Sequence, residues 1–234
     1  MGLARRLPDT LFEMRSLLVT LLMLCLGCSA APPLVSRSAA GTVRAHDEEQ
    51  LELYSGAFVE FAARVKGLLE SRREDGLEIW VQDTQLVIDQ ARAANVYGRI
   101  ELGLITLDAP RYFMVHELVH WYGGTDSPYE GLPCYVEEGL ADWIGCELTD
   151  RTRFRETEHR QFGKLTVQED DLNASGDDFH YLPDDRGEAV GRLGFEVVRA
   201  LGLERLKQMA KDGAKPIDYL NAAMESSSRL KRVK

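Results

Sequence analysis

His116-Glu117-Leu118-Val119-His120 reads H-E-x-x-H, and no other feature constrains the chain as much. Two imidazoles four residues apart share a face of an α-helix, with Cβ atoms about 6 Å apart. From there both ring nitrogens reach a single cation at about 2.0–2.1 Å, the bond length that imidazole makes to zinc. Glu117 follows His116 by one position, roughly 100° around the helix. It is poorly placed as a ligand and well placed to touch a water at the cation. The motif therefore requires a helix here, and it supplies two ligands and a general base for hydrolysis.

The bland alternative is coincidence. The five histidines are His46, His116, His120, His159 and His180, and random placement gives this pattern on the order of 1% of the time before helical context is required. That context is present. Asp108-Ala109-Pro110 offers an N-cap candidate and a first-turn proline. Arg111 to Tyr122 contains neither Gly nor Pro, and Gly123-Gly124 ends the segment. Phe113, Met114, Leu118, Val119 and Trp121 provide apolar surface to bury it.

A catalytic zinc takes three protein ligands and keeps the fourth position for water. Downstream lies Val136-Glu137-Glu138-Gly139-Leu140-Ala141-Asp142-Trp143. Alone, Glu137, Glu138 and Asp142 read as a solvated acidic helix face. H-E-x-x-H followed after seventeen residues by E-G-x-A on a second helix, however, resembles the gluzincin metallopeptidases, the thermolysin-like and aminopeptidase-like group. The resemblance implies that Glu138 is the third ligand and that Glu137, in the place of the usual asparagine, is not one. It gives Asp142, four residues after Glu138 on the same face, the task of accepting the second N–H of a ligating histidine, expected to be His116. The likeness spans Val96 to Cys146, is weak beyond that and is absent before Leu77.

What the resemblance implies is an α+β, zincin-like fold. A small mixed sheet packs on the active-site helix and a second zinc-ligand helix, and a helical C-terminal part follows. It further implies one Zn2+ and hydrolysis of a peptide or protein substrate, with Glu117 as general base. In the family a tyrosine or histidine beyond the second helix steadies the tetrahedral oxyanion. Here the helix from Glu188 resembles the family's next helix, but Gly191 stands three residues before Gly194, where that tyrosine is expected. Tyr181 is the expected replacement, with His180 and Arg186 as substitutes, although each alone is an ordinary loop residue. This departure bears on catalysis more than on metal binding. It keeps two alternatives open: a non-catalytic zinc-binding envelope lipoprotein, and a zinc hydrolase of a non-peptide amide.

Leu17 to Leu26 is a continuous apolar run of ten residues. A bilayer span takes about 20 residues, whereas a signal-peptide core is shorter. Gly27-Cys28-Ser29 and then Ala30-Ala31-Pro32-Pro33 resemble a bacterial lipobox, with Cys25 where leucine is usual. Residues 1–27 are thus expected to be a signal peptide and Cys28 the lipidated mature N-terminus, anchored by two acyl chains. Ser29 matches the outer-membrane sorting pattern, so the protein is expected in the cell envelope, on the outer membrane facing the periplasm or the surface. Asp9 and Glu13 are odd so early in a signal, and Met14 is the expected true start. Ordinary cleavage near Ala30 or Ala31 is the rival processing model. A buried N-terminal helix is the bland reading, but the run is neither amphipathic nor capped. The net charge of −10 argues against a nucleic-acid partner and against adhesion to anionic lipid by charge.

Residues 28–45, small and polar with two prolines, read as a tether. Residues 46–228 read as one catalytic domain and residues 229–234 as a frayed basic tail. From Asp47 to about Arg72, Leu51, Tyr54, Phe58, Phe61, Val65, Leu68 and Leu69 recur at helical spacing. Leu77 to Val81 reads as a strand. Leu86 to Asn95 is ambiguous, its alanines favouring a short helix. Arg99 to Ile105 reads as another strand, which by resemblance borders the cleft and receives an extended substrate. A second metal helix is expected over Leu132–Leu148. From Thr149 to Gly187 a polar loop is expected, its Glu169-Asp170-Asp171, Asp177-Asp178 and Asp184-Asp185 clusters lacking calcium-loop spacing. Helices follow over Glu188–Leu201, Leu203–Lys211 and Pro216–Glu225. If one unbroken helix joins Cys134 to Cys146, it holds them about 18 Å apart, beyond disulfide reach. Either that helix is shorter or both are buried free thiols.

Overall fold

The computed structural model describes residues 33–73, 77–82, 99–103, 110–151, 169–174, 184–227 and 230. The architecture is α+β: a four-stranded sheet and a layered stack of helices. β1 (Leu34–Arg37) pairs antiparallel with β2 (Gly41–Ala45). β2 lies parallel to β3 (Leu77–Gln82), and β3 parallel to β4 (Arg99–Gly103). The sheet is thus mixed, in the order β1-β2-β3-β4. Val43, Ala45, Leu77, Ile79 and Val81 alternate along their strands and are buried on one face. Arg44 lies between them in sequence and points to the other face, where it pairs with Glu78 and sits over the Trp80 ring.

The crossover between β2 and β3 is helix α1 (Glu48–Leu68). Asp47 caps it by accepting from the Gln50 backbone N–H at 2.9 Å, and Glu48 and Glu49 lie in the positive first turn. Tyr54, Phe58, Phe61, Ala62 and Val65 form its buried stripe. It ends four residues before the expected Arg72, because Leu69 closes the last turn and Glu70 turns left-handed at φ 48°. Helix α2 (Pro110–Gly123) packs against α1 and against α3 (Cys134–Thr149). A single turn, α4 (Glu169–Leu172), precedes α5 (Asp184–Lys211). Gly202, with φ 70° and ψ 167°, breaks α5 into two helical stretches. α6 (Pro216–Ser226) closes the chain's described course, fastened to α3 by the Tyr135 hydroxyl, which donates to the Pro216 carbonyl at 2.8 Å.

α3 and α5 meet at two glycines. A Cβ on Gly139 would lie 2.1 Å from the Gly194 carbonyl carbon, and one on Gly194 would lie 1.8 Å from the Tyr135 carbonyl oxygen. The backbones are in direct contact there, and only glycine fits at either position.

Three expectations are corrected. The tether expected over residues 28–45 ends sooner, because Leu34–Ala45 forms two strands of the sheet, with Val43 and Ala45 in the core. The domain therefore begins at Leu34 rather than at residue 46. The basic tail, residues 229–234, is not simply solvated at its start: Leu230 packs half-buried against the core. The polar stretch expected to reach Gly187 yields to α5 at Asp184. α3 runs unbroken through Cys134 and Cys146, and both are free thiols. Leu86–Asn95 and Leu104-Ile105 fall outside the described residues. No helix among the described residues is long and apolar enough to cross a membrane.

Candidate metal centre

α2 buries Met114, Val115, Leu118, Val119 and Tyr122 against its neighbours. That rotation turns His116 and His120 toward α3. α3 buries Tyr135, Val136, Leu140 and Ile144 and turns Glu138 and Asp142 back toward α2. The two amphipathic patterns thus aim the polar residues at one another, and the Gly139–Gly194 contact fixes the height of α3 beside them.

One ligand atom from each of His116, His120 and Glu138 lies within 4.8 Å of the other two, a group that could hold a metal ion. The His116 Nε2–His120 Nε2 separation is 3.1 Å. Glu138 turns one carboxylate oxygen to each ring, Oε2 at 3.5 Å from His116 Nε2 and Oε1 at 3.5 Å from His120 Nε2. A tetrahedral ion with bonds of about 2.0–2.1 Å needs ligand–ligand edges of about 3.3–3.4 Å. The imidazole–imidazole edge is close to that length and each ring has a Glu138 oxygen near it, so the donor set, two imidazoles and a carboxylate within 4.8 Å of one another, could hold such an ion.

The outer nitrogens are held as a metal site requires. His116 Nδ1 lies 3.1 Å from Asp142 Oδ1, and His120 Nδ1 lies 3.2 Å from Glu137 Oε1. An ionised carboxylate only accepts, so each Nδ1 must carry a proton, and in the neutral, ligating ring each Nε2 would present its lone pair inward. Without a metal, burial of the His116 ring pulls its pKa down, but the hydrogen bonds it donates to Asp142 and Glu138 outweigh that and hold it at about 9. His120 is likewise disfavoured as a cation by burial, yet the charges of Glu138 and Glu117 and the hydrogen bonds to Glu137 and Glu138 hold it well above the ordinary value. Burial works against the Glu138 carboxylate, and the two imidazoles overcome it, keeping Glu138 ionised well below the usual range. The imidazole side chains are only 16% and 13% exposed, so the charges act in a poorly solvated setting.

His116, His120, Glu138 and Asp142 thus converge. Glu117 lies on α2 between the histidines in sequence, half-buried, with its charge felt at His120. Tyr181 and His180 fall outside the described residues, as does Cys28, and Arg186 lies in the first turn of α5. Two participants were not anticipated. Glu137, expected only as a non-ligand, is the carboxylate behind His120. Tyr112 donates its hydroxyl proton to Asp142 Oδ1. Tyr112, His116 and His120 stand at i, i+4 and i+8, so the helical register was the available signal for the tyrosine.

Comparison of the chain with protein-family models and with curated proteins finds no match.

Proposed function

We propose that the protein is a zinc-dependent metallopeptidase of the gluzincin type. The observation that carries this reading is the convergence of His116 Nε2, His120 Nε2 and the Glu138 carboxylate, each imidazole backed by its own carboxylate. The finer expectation, a zincin-like domain, is supported by two adjacent helices that contribute ligands above a small mixed sheet. Two nitrogens and one carboxylate oxygen at this spacing suit zinc better than calcium or magnesium, which favour all-oxygen shells.

His116, His120 and Glu138 would hold the zinc, which would supply Lewis acidity toward a carbonyl and a water. The residues of the chain do the rest. Asp142 and Glu137 keep both rings in the ligating tautomer. Glu117, next to His116 on the same helix, accepts the proton from water and returns it to the departing amine. Oxyanion stabilisation falls to Tyr181, His180 or Arg186. The substrate is a peptide or protein. Export through residues 1–27 and lipid anchoring at Cys28 would place the site in the cell envelope, and the acidic chain offers nothing to nucleic acid.

One observation favours a second reading, a zinc-binding envelope module without turnover. The position three residues before Gly194 is Gly191, which has no side chain to offer an oxyanion. A zinc hydrolase of a non-peptide amide is a third, separable only by substrate. The test is incubation with a broad peptide library, with metal analysis alongside. The peptidase reading expects one zinc per chain and cleavage that a chelator abolishes and zinc restores. Stoichiometric zinc with no peptide turnover would favour the module, or the other amide if cell-wall fragments are cut. No zinc at all would sink every version.

A further inference from the structure

Behind His116 the site continues one residue further than a ligand and its carboxylate. Asp142 Oδ1 accepts from His116 Nδ1 at 3.1 Å and also from the Tyr112 hydroxyl. Tyr112 is 5% exposed and is packed with Cys146 and Phe195, against Phe113 and Trp143. Its ring is confined from two further sides. Gly145 lies beneath it, where a Cβ would come within 2.9 Å of ring carbon Cε2. The left-handed Asp150, at φ 57°, turns the end of α3 so that the Arg151 backbone N–H returns to the Cys146 carbonyl at 2.9 Å. The Arg151 guanidinium then stands 5.6 Å from the ring centroid.

We infer that Tyr112 is a positioning residue of the metal centre: seated on Gly145, it holds Asp142 in the one rotamer that fixes the tautomer and orientation of His116. The inference rests on the metal-site reading above. Asp142 is on α3 and His116 on α2, so a carboxylate with one partner could swing about its own side-chain torsions. A second donor, from the same helix as His116, pins the same oxygen. The two ligands are treated differently as a result. His120 is backed by Glu137, which is 37% exposed, while His116 is backed by a carboxylate 14% exposed that also accepts from Tyr112. Gly145 is needed because any side chain there occupies the space of the ring.

Zinc affinity, read by chelator competition, and the visible spectrum of the cobalt-substituted protein test this. Tyr112→Phe removes the hydroxyl and keeps the ring. It should weaken zinc binding about tenfold, toward the low end of the loss typical for partners behind a ligand, and shift the cobalt bands. In an Asp142→Ala background the same change should alter affinity by less than about twofold, because Tyr112 acts through Asp142. Gly145→Ala should reproduce the loss by displacing the ring, and it keeps the test open if Tyr112→Phe folds poorly. Unchanged affinity and cobalt spectrum in Tyr112→Phe, with zinc bound normally by the unsubstituted protein, would overturn the inference and leave the metal reading standing. So would an equal loss in the Asp142→Ala background. Absence of zinc from the unsubstituted protein would overturn both.

Discussion

In the proposed mechanism Glu117 is the general base, and His116, His120 and Glu138 only hold the metal. Glu117→Gln keeps side-chain volume and polarity but removes the proton acceptor. Zinc stoichiometry should be unchanged while peptide hydrolysis falls at least about a hundredfold, the scale of lost general acid–base catalysis. Undiminished turnover would take Glu117 out of the mechanism. At this scale the sequence was most readable where the chemistry is local. His116 and His120 are four residues apart on one helix, so their spacing alone announces a shared target. Glu138 needed a second helix and was named only through a family likeness. Glu137 and Glu138 are adjacent carboxylates, and only the rotation of α3, set by buried Tyr135, Val136 and Leu140, decides which one faces the rings and which stands behind His120. Tyr112 was hidden for another reason: a tyrosine in the first turn of an apolar helix looks like core until its hydroxyl's partner on α3 is known.

Each helix was legible to the extent that its apolar stripe is long. The stripe of α1 recurs through Tyr54, Phe58, Phe61 and Val65 and defines the helix well before any tertiary contact is known. β1 and β2 are only four and five residues long and interleave Arg37, Thr42 and Arg44 with their few apolar positions. Alternation that short is indistinguishable from a polar linker, and the buried state of Val43 and Ala45 comes from α1 and β3, which lie later in the chain. The Gly139–Gly194 crossing makes the sharpest demand at this level. Gly139→Ala drives a methyl into the Gly194 backbone, which has no flexible end to move aside. The better helix propensity of alanine offsets about 1 kcal/mol, but overpacking of this kind costs about 3 kcal/mol or more. A thermal melt should show the midpoint lowered by several degrees, and an unchanged or raised midpoint would mean that the helices can separate there at little expense.

The molecule as a whole rests on the hairpin that the sequence reading assigned to a linker. Deleting residues 34–45 strips the core of Val43 and Ala45 and uncovers Leu77 and Ile79. Cooperative unfolding should be lost in a circular-dichroism melt, whereas a mere tether could be removed without effect. The core also sets a limit in alkali. Burial pushes the Tyr129 and Tyr219 phenols and the Cys134 thiol up to about 12, and raises Tyr135 by the same cause. In the unfolded chain these groups ionise near 10 and 8.5. The folded state binds their protons more tightly, so their stabilising effect is complete below about pH 8.5 and drains away as pH rises toward 12. Denaturant midpoints measured from pH 8 to 11 should fall steadily, and a flat profile would show that these groups reach water. Finally, α3 lies backbone to backbone on α5 at Gly139 and Gly194, so the helix that carries the carboxylates is seated by packing rather than by a cation. A metal ion taken up there would be captured by a ready-made claw rather than folded around, and its removal should leave the scaffold intact.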